Sequence, residues 1–110
     1  MKDIKVLFIG DVVGKIGRKA VAKILPKLKK QLKPDLVIAN AENVAHGIGV
    51  TESTLKELME AGVDYFSNGD HAFDKLKQSE CYEKMPIIRP ANYPPGVPGQ
   101  GFIEIDINKN

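Results

Sequence analysis

The sequence has one cysteine, Cys81, and two histidines, His46 and His71. A lone thiol cannot close an internal disulfide, and no His or second Cys lies within a few positions to lower its pKa. Cys81 therefore reads as a small, half-buried side chain in a reducing, cytoplasmic setting. Long apolar runs are missing as well. The N-terminal MKDIKVLFIG is far too short in its apolar part to span a membrane, and it ends at Gly10-Asp11 without a small-residue cleavage pattern. Neither a membrane segment nor a signal peptide is expected. An excess of one charge is also lacking: sixteen Lys+Arg against fourteen Asp+Glu leave +2. That balance does not favour non-specific binding of nucleic acid or acidic lipid.

What is present is an ordinary globular composition, 43% hydrophobic and 27% charged with 10 Gly and 7 Pro, so the chain is expected to fold. Its 110 residues leave room for one domain, residues 1–110, and no second core. Residues 4–9, IKVLFI, read as a strand buried on both faces. From Gly17, Val21, Ile24, Leu25, Leu28 and Leu32 recur at helical spacing, with Lys19, Lys23, Lys27 and Lys30 mostly opposite as a solvated or phosphate-attracting face. Pro26 inside this pattern either kinks the helix or opens a second one. Pro34 stops it, and 36–40, LVIAN, form a second buried strand. Thr51 caps the next helix, with Leu55, Leu58 and Met59 on one face and Gly62 as its left-handed stop.

A third strand is read at 63–67, a polar helix over about 74–83, and a fourth strand from Ile87-Ile88. Residues 90–101 hold four Pro and three Gly, which suits a stiff irregular loop. The final FIEIDI, 102–107, alternates Ile103, Ile105 and Ile107 against Glu104 and Asp106, as does a strand with one wet face. Strands alternating with helices at this spacing predict parallel βαβ units in a layered α/β fold.

Ligands of such sheets lie beyond the carboxyl ends of the strands. Three polar segments fall there: Gly10-Asp11 through Gly17, Asn40-Ala41-Glu42-Asn43, and Asn68-Gly69-Asp70-His71 through Asp74. Individually, Asp11 could cap the first helix, Asn43 could hold a turn and His71 could sit on the surface. Together, Asp11, Glu42 and Asp70 would repel one another unless cations lay between them. Oxygen donors with one imidazole suit Mn, Fe or Mg. The glycines match neither a dinucleotide fingerprint nor a Gly-Lys-Ser/Thr phosphate loop. They would let the backbone approach a metal and its phosphate, with Lys15 or Arg18 near the anion.

The phrases FIGDVVGKIGR, NAENVAHGIGVT, GDHAFD and RPANYP, in this order and spacing, resemble the N-terminal part of bacterial metallophosphoesterases of the YmdB-like family. The resemblance covers essentially the whole chain. It implies a layered metallophosphoesterase sandwich, of which this chain would be a truncated half. It also implies a site for two divalent metals, Fe, Mn or Mg, and hydrolysis of small phosphodiesters such as 2',3'-cyclic nucleotides. Carried over by motif, Asp11 would bind the first metal, Glu42 would bridge both, Asn43 would be a further ligand, and Asp70 would bind the second. His71 would be the general acid, with an imidazole pKa near 6.5 suited to protonating a departing oxygen. Asp74 would either orient that ring or cap the following helix. His46 and Asn92, the latter in RPANYP, would face the substrate.

Where the family usually reads Gly-Asn-His, this chain has Gly69-Asp70-His71, a carboxylate in place of a neutral amide. The family's remaining metal ligands are histidines in a C-terminal half that these 110 residues do not contain, so a fragment, split-gene half or degenerate relative is expected. A C-terminal half chain and a homo-oligomer are the partners this implies. The alternative is a non-catalytic metal- or nucleotide-binding interaction module.

Overall fold

The structure, a computed structural model, describes residues 3–74 and 81–107. Strands β1 (Val6–Ile9), β2 (Leu36–Asn40) and β3 (Tyr65–Ser67) alternate with helices α1 (Gly14–Leu32) and α2 (Glu52–Ala61), followed by the short α3 (Cys81–Lys84). The strands form one parallel sheet in the order β1-β2-β3, with Phe8 beside Ile38 and Ile38 beside Tyr65. This is the expected α/β architecture. Successive parallel strands need crossovers, and α1 and α2 supply them.

Register decides which residues meet the helices. Leu7, Ile9, Val37, Ala39 and Phe66 join Leu25, Leu55 and Leu58 in the core. Val6 and Phe8 alternate to the other side, where they remain 48% and 57% exposed. The expectation that β1 is buried on both faces is therefore corrected: among the described residues only its helix-facing side joins the core. On the open side, Phe102, Ile103 and Ile105 line a cavity of about 310 Å³ with Phe8, Ile38 and Tyr65. Residues 102–107 form no strand, because none of the described strands pairs with them. Alternation alone does not make a strand without a hydrogen-bonded neighbour.

Helix α1 starts three residues before the expected Gly17, at Gly14. Its N-cap is Val13 and no side chain caps it, so Asp11 is not the cap. Pro26 neither ends α1 nor opens a second helix. The helix runs on through it, with the neighbouring Leu25 packed in the core at 1% exposure. Lys33, left-handed at φ 50°, closes the helix by donating its N–H to the Lys29 carbonyl at 2.9 Å.

Helix α2 carries the expected cap in reciprocal form: the Thr54 N–H donates to Thr51 Oγ1 and the Thr51 N–H to Thr54 Oγ1, each at 3.3 Å. Gly62 ends it at φ 121°. Met59 does not share the buried face; it is 39% exposed, and Thr54 is buried beside Leu55 and Leu58 instead. Of the helix expected over 74–83, residues 75–80 lie outside the described residues and α3 covers the end. The fourth strand is reduced to a single parallel bridge between Ile87 and Phe66. Among the described residues, no helix is long and apolar enough to cross a membrane.

Candidate functional site

The loops after the three strands are stitched together by backbone hydrogen bonds. Val12 N–H donates to Asn40 O at 3.3 Å, Gly14 N–H to Asn43 O at 3.0 Å, and Ala41 N–H to Ser67 O at 3.0 Å. Gly14 sits at φ +56°, and a Cβ there would come 3.3 Å from the Gly47 nitrogen. Only glycine suits a backbone of that hand so close to the second loop. The sheet edge thus presents three polar loops as one rim.

Asn43 donates its side-chain amide to both carboxylate oxygens of Asp11, at 3.1 and 3.0 Å. That contact uses the nitrogen and turns the amide oxygen, the metal-donor end of the group, away from Asp11. Glu42 is fixed by its own backbone: its N–H donates to Asn40 Oδ1 at 3.2 Å and its carbonyl accepts from Gly49 N–H at 2.7 Å. Its carboxylate rests on Gly69, where an added Cβ would lie 2.2 Å from Oε1. Glu42 therefore bridges from the second loop to the third.

On the third loop, His71 Nδ1 and Asp74 Oδ2 are 2.7 Å apart. Asp74 thus orients the ring, one of the two roles open to it. The bond to Asp74 raises the His71 pKa above its ordinary value, and the charges of Asp74, Glu42 and Asp70 add to the rise against some desolvation. Asp70 is exposed, and its carbonyl accepts from the Tyr93 hydroxyl at 3.3 Å. Asn92, the neighbour of that tyrosine, is exposed where the 90–101 loop meets the rim. His46 is exposed in the second loop, left-handed at φ 54°.

Arg18 departs from expectation. Instead of facing an anion, its guanidinium is buried, donating to the Val44 carbonyl at 2.7 Å and pairing with Glu57 at 2.8 Å. It ties α1 and α2 to the loop that carries Glu42 and Asn43. Tyr82 was not foreseen either. Its phenol donates to the Ala72 carbonyl and accepts from Asn68 Nδ2, the latter at 3.0 Å. Burial raises the pKa of that phenol and pushes the Cys81 thiol beside it up to about 11. Burial thus favours the protonated form of both.

The donors of the rim are hard oxygens with one imidazole, a set suited to Mg, Mn or Fe. They are brought together in pairs, Asp11 with Asn43 and Glu42 with the Gly69 turn. Among the described residues, no three His, Cys, Asp or Glu side chains are grouped so as to hold a metal ion.

The sequence pattern of the YmdB-like proteins matches residues 7–110. The chain belongs to the YmdB-like protein family. Its relatives include the 2',3'-cyclic-nucleotide 2'-phosphodiesterase of Bacillus subtilis, 43% identical over 94% of this chain and 40% of its own length. A hypothetical protein from Thermus thermophilus has a crystal structure that matches 94% of this chain at a TM-score of 0.88 and 45% identity. A structure described as a novel phosphatase, from Mycoplasma pneumoniae, matches 98% of the chain at a TM-score of 0.89 and 38% identity. The chain spans about 40% of the length of each of these relatives.

Proposed function

We propose that this chain contributes the N-terminal share of a metal-dependent phosphodiesterase acting on small phosphodiesters of the 2',3'-cyclic nucleotide type. The observation that carries this reading is the convergence of Asp11, Asn43 and Glu42 with the Gly69–His71 turn on one rim of a parallel sheet. The named activity of the Bacillus subtilis relative supports it.

Asp11 would offer a carboxylate to one cation, with Asn43 as a further ligand once its amide oxygen, now turned from Asp11, faces the ion; Asp70 would serve a second cation and Glu42 would bridge the two. Two divalent ions, Mn, Fe or Mg, would supply Lewis acidity and neutralise charge on the phosphoryl oxygens. The donor set fits such ions in chemistry and is incomplete in number. The remaining donors, histidines, would come from a C-terminal half.

The chain's own residues account for the rest. Asn43 restrains the Asp11 carboxylate through both oxygens, so its lone pairs face a constant direction. With Asp74 holding Nδ1 of His71, Nε2 is the nitrogen free to meet a substrate, and the raised pKa keeps the ring protonated further toward neutral pH. A positioned imidazolium is suited to protonating the departing alkoxide. His46 and Asn92 take the substrate side, both exposed on loops beside the rim. The open sheet face with Val6 and Phe8 suits association with a further chain, a C-terminal half or a second copy, in a cytoplasmic setting.

One observation favours the alternative of a non-catalytic metal- or nucleotide-binding module: the incomplete grouping of donors among the described residues. Calorimetric titration with Mn tests the shared premise. Weak binding that disappears in Glu42→Ala is expected, and unchanged binding in that variant overturns the bridging role.

A further inference from the structure

We infer that Tyr82 and Tyr93 are positioning residues which hold the Gly69–Ala72 turn from two sides and so set Asp70 and His71 against Glu42. This rests on the functional reading above. Tyr82, on α3, is 4% exposed. Its hydroxyl engages both ends of the turn, donating to the Ala72 carbonyl and accepting from Asn68 Nδ2, whose partner atom Oδ1 accepts the Gly69 N–H at 3.0 Å. Tyr93, on the 90–101 loop, reaches the middle of the same turn at the Asp70 carbonyl, 3.3 Å away. The Phe73 ring packs against both, its centroid 4.9 Å from that of Tyr82 and 5.5 Å from that of Tyr93.

A buried hydroxyl offsets its desolvation only when it is hydrogen-bonded, and a phenylalanine would fill the same space without that cost. Here both capacities of Tyr82 are spent on one short turn. That turn carries Asp70 and His71, and its glycine receives the Glu42 carboxylate. A loop of this kind is inherently mobile unless tied down. Each tyrosine hydroxyl donates to a backbone carbonyl of the turn, and each acts through the backbone it holds.

The test compares the whole chain with its Tyr82→Phe and Tyr93→Phe variants. The first readout is amide hydrogen exchange. Losing one ordinary hydrogen bond should speed exchange at Gly69 and Ala72 by about tenfold in Tyr82→Phe, with Val37 and Ala39 in β2 unchanged. The second readout is line broadening by substoichiometric Mn, which falls steeply with distance. Broadening at the His71 ring should drop relative to that at the Asn43 side chain in both variants, a local change that a general loss of stability would not produce. Unaltered exchange at 69–72 in both variants overturns the inference, as does equal acceleration in β2. If Mn broadens neither signal in the unmodified chain, the metal reading fails while the exchange data still decide the role of the tyrosines.

Discussion

His71 Nδ1 lies 2.7 Å from Asp74 Oδ2, within three residues on the loop that also carries Asp70. A carboxylate in that position stabilises the imidazolium, so the folded chain holds the His71 proton more tightly than the unfolded chain does. The stabilisation is fully present below the unfolded value near 6.5 and is lost as pH rises through the higher folded value. In an NMR titration of the metal-free chain, the His71 midpoint should lie above the ordinary value and fall in Asp74→Asn. The variant should also be less stable than the parent around pH 6, with the difference shrinking toward alkaline pH. A midpoint indifferent to Asp74 would contradict the pairing.

Gly69→Ala isolates the seat of Glu42. The new Cβ would lie 2.2 Å from Glu42 Oε1, yet the clashing atom is the free end of a flexible side chain, which can swing away. Stability should change by less than about 1 kcal/mol, as for other surface substitutions. Mn affinity measured by calorimetry should fall to the level of Glu42→Ala. Full retention of affinity would show that the carboxylate does not act from this seat.

Arg18→Met should cost about 2 kcal/mol in urea unfolding, chiefly because the buried Val44 carbonyl loses its charged donor. The Glu57 end of the ion pair is 47% exposed and contributes little. Arg18→Lys should recover part of the loss. A neutral outcome for Arg18→Met would return the residue to the anion-facing role its sequence position suggested.

The two neighbouring side chains of α2 separate core from surface. Leu58, 0% exposed, should lose about 3 kcal/mol on truncation to Ala, with a cavity left behind. Met59, 39% exposed, should lose no more than about 0.5 kcal/mol. Comparable losses for both would contradict the helix face described here.

That contrast shows what could be read from the residues alone. Strand β2, the Thr51 cap and the Gly62 stop were legible because each is a local signal: an apolar run, a hydroxyl at a helix start, a glycine at a left-handed position. The convergence of Asp11, Glu42, Asn43 and His71 was legible because parallel strands send their following loops to one edge. The burial of Arg18 was not, since only the packing of α1 on α2 brings Glu57 and the Val44 carbonyl to it. Nor was the exposed side of β1, because an apolar run reads the same whether one face of its sheet is covered or both. Residues 102–107 alternate as a strand does, but pairing needs a neighbour that periodicity cannot supply. The space beside Gly69 carried one usable hint, a residue without a side chain immediately before Asp70 and His71.

The most direct test of the central claim is metal-dependent hydrolysis of bis-p-nitrophenyl phosphate by this chain, alone and mixed with the part of the Bacillus subtilis relative that it does not span. In the proposed reaction two metals would meet the transition-state charge on the phosphoryl oxygens, and each missing 1.4 kcal/mol or so of stabilisation lowers the rate about tenfold. Little or no turnover is expected from the chain alone, with activity appearing in the mixture and falling in His71→Ala without loss of Mn binding. Robust hydrolysis by the 110 residues alone, or none after complementation, would contradict the account.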